Sequence, residues 1–236
     1  AGLDFTARTN DGSNVLHHAV KGNNLTVAKY LIQTSPPLLQ QTDNNGWTAA
    51  HYAAMGSSVH MLKTLIEAGL DTTVRANDGT QVLHIAVKND SHTLVKYLIE
   101  VNPQLLQHTD NNGLTAAHYS ASRGSIPMME TLIEAGIDIT ARTNNGANVL
   151  HIAASNDNLA VVKYLIETNP QLLEQPDNNG WTVLHCAAGT CSVPVLMTLI
   201  AAGMDITART NNGTHVLHIA ANNDNLTVVK YLIETH

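Results

Sequence analysis

Histidine recurs along this 236-residue chain at one regular spacing, and its imidazole can bind a metal ion or transfer a proton near neutral pH. Seven histidines each follow a glycine at the same short distance: His17, His51, His84, His118, His151, His185 and His218. If each belongs to a separate packed helix, neighbours lie about 8–10 Å apart. Two ligands of one zinc ion each lie about 2 Å from the metal, so neighbouring histidines could not share it. The spacing therefore predicts no metal site.

The chain has two cysteines, Cys186 and Cys191, but no residue set typical of nucleophilic catalysis accompanies them. A catalytic thiol needs a base and a polarising environment, and the adjacent His185 belongs to the regular histidine series. A glycine-rich phosphate loop, a Ser-His-Asp set and a carboxylate pair outside the regular pattern are also missing from the sequence. We predict two small core thiols and no catalytic residue, hence neither an enzyme nor a cofactor.

The charge pattern argues against nucleic acid as a partner. The net charge is −7, and the sequence contains no block of Lys or Arg. Four arginines recur at one wide and constant interval, too sparsely to follow a phosphate backbone: Arg8, Arg75, Arg142 and Arg209. We predict that each pairs with the aspartate four positions before it, as Asp138 would with Arg142.

Two further features of the composition concern the membrane and the compartment. No apolar run approaches the roughly 18 residues of a membrane-spanning helix, so we expect no membrane insertion. Two cysteines do not make a disulfide framework, which favours a reducing compartment, and we expect the cytoplasm.

The histidines belong to an internal repeat. The preceding glycines recur at a nearly constant interval, and each opens a similar phrase, such as GSNVLHHAV, GTQVLHIAV or GWTVLHCAA. Asn-Asn-Gly or Asn-Asp-Gly at the start is typical of a turn. A Thr or Asn then caps a short apolar helix, and a second stretch such as LAVVKYLIE, residues 159–167, has apolar residues at helical spacing. Each copy is thus predicted to be a turn and two helices, stable only when stacked on neighbours.

The connectors between copies alternate between two kinds, so that the larger unit is a pair of copies. One kind ends in Ala-Gly, and the other contains a proline after Asn102 or Asn169. Proline disfavours a helical residue before it and so ends the second helix. We predict that Asn102 and Asn169 cap a further brief turn starting at Pro103 and Pro170.

The 33-residue period and the phrase at Gly180–Ala188 resemble the ankyrin repeat, and the resemblance covers the whole chain. It implies an all-α solenoid of stacked helix-turn-helix repeats joined by hairpin-like turns. We expect one array over residues 1–236 with repeats starting near residues 10, 43, 76, 110, 143, 177 and 210. Residues 1–9 would be the tail of a truncated preceding repeat, and the chain a window of a longer array.

The resemblance also implies a structural role for the histidines, which would form hydrogen bonds within their turn and to the next copy. The sequence departs from the family phrase Thr-Pro-Leu-His, because the proline is replaced in every copy and the threonine in four. Gln81 and His215 occupy the capping position but cap a helix poorly, and each should lower the stability of its helix by about 1 kcal/mol. We predict weaker first helices in those two copies.

The candidate binding positions are those that differ between copies, while the repeat glycine and the repeat histidine stay the same. The resemblance places the residue after the repeat glycine near the inner, concave side, and Trp and Tyr are favoured interface anchors. The predicted partner-binding residues are Trp47, Tyr52, Met55, Lys88, Leu114, Tyr119, Arg123 and Trp181. Two interpretations stay open for Trp47 and Trp181: contact with a partner, or packing over their own turns.

These observations favour a monomeric, non-enzymatic scaffold that binds a partner protein on the concave face of the solenoid. The alternative is the targeting arm of a larger multidomain protein, such as a secreted bacterial effector with its catalytic or toxin part outside this window. In that case the chain would act in a host cytoplasm. An enzymatic array would need a nucleophile and a base outside the repeat frame, and the sequence offers none.

Overall fold

The structure, a computed structural model, describes residues 7–190 and 192–235. In this part of the chain fourteen α-helices and three short 3₁₀ helices form, without any strand. The predicted fold class, an all-α repeat solenoid, is confirmed. The described part of the chain divides into two compact units, with the boundary between residues 111 and 112. That the copies form one array stays a prediction, and Cys191 and most of the predicted tail over residues 1–9 lie outside the described residues.

The first unit contains three helix pairs. Its helices are α1 Val15–Lys21, α2 Leu25–Thr34, α3 Ala49–Met55, α4 Val59–Glu67, α5 Val82–Lys88 and α6 His92–Val101, with 3₁₀ helices η1 Pro36–Gln40 and η2 Pro103–Gln107. The first helices of the pairs pack side by side, α1 on α3 and α3 on α5, and α4 packs on α6 behind them. Fully buried Leu16, Leu62 and Leu94 come from both rows, so the core lies between them.

The second unit contains four helix pairs. Its helices are α7 Ala116–Arg123, α8 Ile126–Glu134, α9 Val149–Ser155, α10 Leu159–Thr168, α11 Val183–Gly189, α12 Val193–Ala201, α13 Val216–Asn222 and α14 Leu226–Thr235, with 3₁₀ helix η3 Pro170–Glu174. The first helices again form one row, and α8, α10, α12 and α14 form the other. Small buried residues such as Ala153 and Ala187 face neighbouring first helices, which lets these helices approach closely.

The starts of the first helices show how the capping position works. In α9 the Oδ1 atom of Asn148 accepts from the backbone N–H groups of Leu150 and His151, at 3.0 and 3.1 Å. His215 also caps its helix, because its Nδ1 accepts from Leu217 N–H at 3.2 Å, which the sequence did not lead us to expect. Gln81 does not cap: its Nε2 donates to Thr73 O at 2.6 Å, and its buried Oε1 has no hydrogen-bond partner.

The proline connectors form the predicted brief turns, η2 and η3, each starting at its proline. The predicted side-chain caps are wrong, since neither Asn102 nor Asn169 accepts a capping bond. The backbone oxygens do this instead, as Asn102 O accepts from Leu105 N–H at 3.1 Å. Burial of Leu105 against the unit holds the turn in place.

Successive loop tips are joined by asparagine side chains. In the first unit Nδ2 of Asn44 donates to Asn10 O at 3.1 Å, and Nδ2 of Asn77 donates to Asn44 O at 2.9 Å. In the second unit Nδ2 of Asn211 donates in the same way to Asn178 O at 3.1 Å. Each of these loops thus takes its position from the loop before it.

The predicted pair of Asp138 and Arg142 does not form. Oδ1 of Asp138 accepts from the backbone N–H and the hydroxyl of Thr140, at 2.8 and 2.7 Å, in a local turn. The Arg142 guanidinium donates to the backbone oxygens of Gly146 and Pro176 instead. A short aspartate engaged in its own turn is held away from the arginine, which serves to tie one loop to the next.

Candidate protein-interaction surface

Six of the seven repeat histidines are buried beneath the loop tips, while His218 is exposed. Nδ1 of His151 accepts from the N–H of Asn148 at 3.3 Å, so its Nε2 carries the proton and donates to Trp181 O at 3.1 Å in the next copy. His51 is arranged alike, with Nε2 3.3 Å from Thr80 O. Burial lowers the pKa of both histidines and keeps the rings neutral. The structural role implied by the resemblance is confirmed.

In the first unit the Trp47 side chain packs against two other aromatic rings. Its backbone N–H donates to Asp43 Oδ1 at 2.8 Å, which closes the loop. Its ring lies 5.7 Å from the His51 ring and meets Tyr52 edge-on, with centroids 5.5 Å apart. Trp47 is half-buried, so one part of the indole packs over its own turn and another part is open to solvent. The two interpretations of Trp47 are therefore compatible.

Tyr52 lies under this surface, with 8% of its area exposed. Its hydroxyl donates to Asp43 Oδ2 at 2.7 Å and lies 3.1 Å from Ser13 Oγ. Its ring stacks on His17, with centroids 5.2 Å apart. Burial is the main cause that raises the pKa of the phenol. Tyr52 therefore supports Trp47 and joins two copies, and little of it is left to touch a partner.

The other two predicted residues of the first unit lie at the ends of first helices. Met55, at the end of α3, is 40% exposed, and Lys88, at the end of α5, is exposed as well. An apolar thioether and an ammonium group are thus exposed at the ends of two helices of one row.

In the second unit Trp181 repeats the arrangement of Trp47. Its N–H donates to Asp177 Oδ1 at 2.8 Å, and its ring lies 6.0 Å from that of His185. The indole is half-buried and borders two depressions, one toward α9 and one toward α13. Trp181 therefore projects between neighbouring first helices.

The larger depression, here called the Trp181 groove, has a volume of about 590 Å³. Its lining includes Ala147, His151, Ile152, Asp177, Trp181, Cys186, Gly189 and Ile219. Gly189 and Ser155 supply little bulk at the helix ends, which leaves the groove open. An indole, two isoleucines and a carboxylate offer a partner both apolar contact and a hydrogen-bond acceptor.

Cys186 lies in the wall of the Trp181 groove and is half-buried. Burial raises the pKa of its thiol to about 11, so the thiol stays protonated at neutral pH. A neutral thiol is a weak nucleophile. Cys186 was predicted to be a small core thiol, but it lies half-buried in the groove wall and outside the fully buried core.

The remaining predicted residues of the second unit lie toward α7. Half-buried Leu114 lines a depression of about 360 Å³ with Thr143 and Ile152. Tyr119 is half-buried on α7, and Arg123 is exposed at its end. Arg123 thus occupies the position in its copy that corresponds to the ends of the other first helices.

Sequence reasoning did not select several residues that the structure places in the Trp181 groove. Asp177, Asn179 and Asn223 are examples, and their types look like ordinary turn residues. Ile152 and Ile219 follow repeat histidines, at a position that varies between copies, and that variation was the available signal.

Two kinds of feature are missing from the part of the chain that the structure describes. No three side chains of His, Cys, Asp or Glu are grouped to hold a metal ion over residues 7–190 and 192–235. In the same part of the chain no helix has the length and apolar character needed to cross a membrane.

A row of short helices with variable side chains on loop tips and helix ends defines a helical repeat protein of the kind that binds other proteins. Models of ankyrin repeats match residues 1–76, 59–143, 140–210 and 190–233. The chain belongs to the ankyrin repeat family, whose repeats are in general protein-interaction modules without catalytic activity.

The chain is similar to segments of much longer proteins. It is 26% identical over 127 residues to the Target of rapamycin complex 2 subunit AVO2 of Saccharomyces cerevisiae, covering 52% of this chain and 30% of that protein. It is 27% identical over 141 residues to the Nuclear factor NF-kappa-B p105 subunit of Gallus gallus, covering 58% and 14%. It is 34% identical over 104 residues to the Neurogenic locus notch homolog protein 1 of Homo sapiens, covering 44% and 4%. The chain thus spans less than a third of each of these relatives.

Proposed function

We propose that the chain binds a partner protein along its row of first helices and loop tips, the concave face of an ankyrin solenoid. The observation that supports this most is the Trp181 groove, where a half-buried indole borders two depressions between first helices. Large aromatic residues in partly desolvated positions carry much of the energy of protein interfaces. In the first unit, Trp47 with Met55 and Lys88 would extend the contact, and Tyr52 would hold Trp47 in place.

The test begins with a partner captured from native cytosol and identified by mass spectrometry, followed by calorimetry with the purified partner. Trp181→Ala should weaken binding about 30-fold or more, as expected for an interface anchor. Met197→Ala is the matched control, because Met197 is 50% exposed on α12, in the row of second helices. The proposal fails if the Met197 variant loses affinity while the Trp181 variant keeps it.

We further propose that the chain serves as the targeting arm of a larger cytoplasmic protein. In the relatives above, the matched segment makes up 4–30% of the protein, which supports this arrangement. The complete gene sequence, together with cell fractionation, tests the idea. A gene that encodes repeats alone would contradict it.

A further inference from the structure

Two copies of the repeat, separated by three others, share a histidine, an aspartate and a tryptophan around one position but differ at its centre. In the copy of α3 the central residue is Tyr52, and in the copy of α11 it is Cys186. Around them His17, Asp43 and Trp47 correspond in turn to His151, Asp177 and Trp181. The second copy therefore lacks the phenol ring, and also the Ser13 hydroxyl beside it, but keeps the three other side chains.

In the first unit that environment holds the phenol of Tyr52 on three sides. Its hydroxyl donates to Asp43 Oδ2 at 2.7 Å. One face of the ring stacks on His17 at 5.2 Å, and its edge meets Trp47 at 5.5 Å. The ring is buried, so the arrangement is a complete binding site for a phenol, occupied by the chain's own residue.

In the second unit the corresponding residues line the Trp181 groove, where a thiol replaces the ring. Ala147, His151, Asp177, Trp181 and Cys186, the counterparts of Ser13, His17, Asp43, Trp47 and Tyr52, all lie in its wall. Ser155 and Gly189, which also line the groove, are smaller than their counterparts Lys21 and Met55 in the first unit. The groove volume, about 590 Å³, leaves ample space for a phenol ring.

The acceptor that binds the phenol is also preserved. Oδ1 of Asp177 accepts from the N–H groups of Asn179 and Trp181, both at 2.8 Å, and Asp43 Oδ1 does the same for Asn45 and Trp47. Oδ2 of Asp43 accepts from Tyr52, whereas Oδ2 of Asp177 has no hydrogen-bond partner among the described residues. The carboxylate thus offers a negatively charged acceptor to a donor from outside the chain.

We propose that the Trp181 groove binds a tyrosine side chain of the partner protein, in the position that Tyr52 occupies in its own copy. This rests on the proposed function, and it names the chemistry that the groove recognises. The phenol O–H donates to Asp177 Oδ2, while the ring packs between His151 and Trp181. A phosphorylated tyrosine is excluded, because its charge would meet the Asp177 carboxylate.

A small phenol tests the groove without any knowledge of the partner. The protein is the full chain with Trp47→Phe, so that the single remaining indole N–H signal in an NMR spectrum belongs to Trp181. p-Cresol should shift this signal saturably, with a dissociation constant of about millimolar order. 4-Methylanisole, which lacks the O–H donor, should bind about tenfold more weakly, and p-cresyl phosphate should not bind. Equal binding of p-cresol and 4-methylanisole, or no binding of p-cresol, overturns the proposal.

Two exchanges between the copies provide matched controls. Cys186→Tyr should fill the groove as Tyr52 does in its copy and remove p-cresol binding, whereas Met197→Tyr, at an exposed position of α12 outside the groove lining, should leave binding intact. Tyr52→Cys, with Trp181→Phe in place of Trp47→Phe, should create p-cresol binding beside Trp47 in the first unit. If Cys186→Tyr does not fold, the Tyr52→Cys variant still tests the proposal. A folded Tyr52→Cys protein that does not bind p-cresol overturns it.

The result is separable from the test of the proposed function. If Trp181→Ala abolishes partner binding while p-cresol does not bind, the interface stands and the tyrosine pocket is rejected. If p-cresol binds and the Trp181 variant keeps its affinity for the partner, the groove binds a phenol that the partner does not supply, and both the interface assignment and the partner tyrosine are rejected.

Discussion

The Nδ2 atom of Asn148 donates a 3.0 Å hydrogen bond to Leu172 O, which ties the start of α9 to the η3 turn. Asn14 forms the same bond to Leu38 O at 3.3 Å in the first unit. In both residues Oδ1 caps the helix. One side chain therefore accepts from an N–H group at the start of the helix and donates to a carbonyl group of the following connector.

Gln81→Asn should increase stability, because Gln81 occupies this position but neither caps α5 nor reaches Leu105 O. Asparagine would accept from His84 N–H and donate to Leu105 O, with a gain of about 1 kcal/mol. Hydrogen exchange of the α5 amides measures the effect locally. Asn148→Gln is the matched reverse change and should cost about as much in α9. Faster exchange in the Gln81→Asn helix would contradict the prediction.

Stability should fall as the pH is lowered from 7 to 4. Burial lowers the pKa of five repeat histidines, and that of His84 to about 4: His17, His51, His84, His151 and His185. In the unfolded chain these five histidines take up protons near pH 6.5, whereas in the folded chain they do so only at lower pH, so protonation favours unfolding below pH 6.5. For His84 alone the loss down to pH 4 is about 3 kcal/mol. Urea unfolding at several pH values measures it, and a flat profile between pH 7 and 4 would refute the prediction.

Gly180→Ala should be more costly than Gly203→Ala, although both glycines have positive φ, +79° and +91°. At Gly203 nothing lies within 4 Å of an added Cβ. The only cost of alanine there is that of holding a residue with a side chain in a left-handed backbone conformation, about 1 kcal/mol. At Gly180 the Cβ would lie 2.5 Å from Asn211 Oδ1 and would disrupt a bond between loops, at a further cost of about 1–3 kcal/mol. Thermal unfolding of the two variants compares them, and equal melting temperatures would show that the loop contact contributes little.

Cys186 should react slowly with iodoacetamide at pH 7.5. Its pKa of about 11 leaves a thiolate fraction about a hundredfold below that of a free cysteine. The measurement uses Cys191→Ser, so that Cys186 is the single thiol, and follows the mass increase with time. Unfolding in urea should restore the rate of a free thiol. Rapid labelling of the folded chain would contradict the raised pKa.

The repeat frame could be predicted because its signals are local. The glycine, the capping residue and the histidine lie close together in each copy, and each acts within its own turn or on the next copy. The helix pairs and the brief turns after proline follow from the same kind of signal.

The side-chain partners could not be predicted in the same way, because they depend on other copies. Tyr52 looks like a surface anchor until Ser13 and Asp43 are seen around its hydroxyl, 39 and 9 residues away. Arg142 has an aspartate within reach in sequence, yet its partners are backbone oxygens. The Trp181 groove arises from a small residue at a position that holds a ring elsewhere, and a missing side chain gives no positive signal in a sequence.

The asparagine bonds between loop tips also bear on how a gene for such a protein can change. Successive loops present a carboxamide to the loop before them and a carbonyl group to the loop after them. Unequal recombination that deletes or adds one pair of copies therefore rejoins a donor to an acceptor of the same kind. A chain with one pair of copies more or fewer would thus keep the same hydrogen bond at every loop.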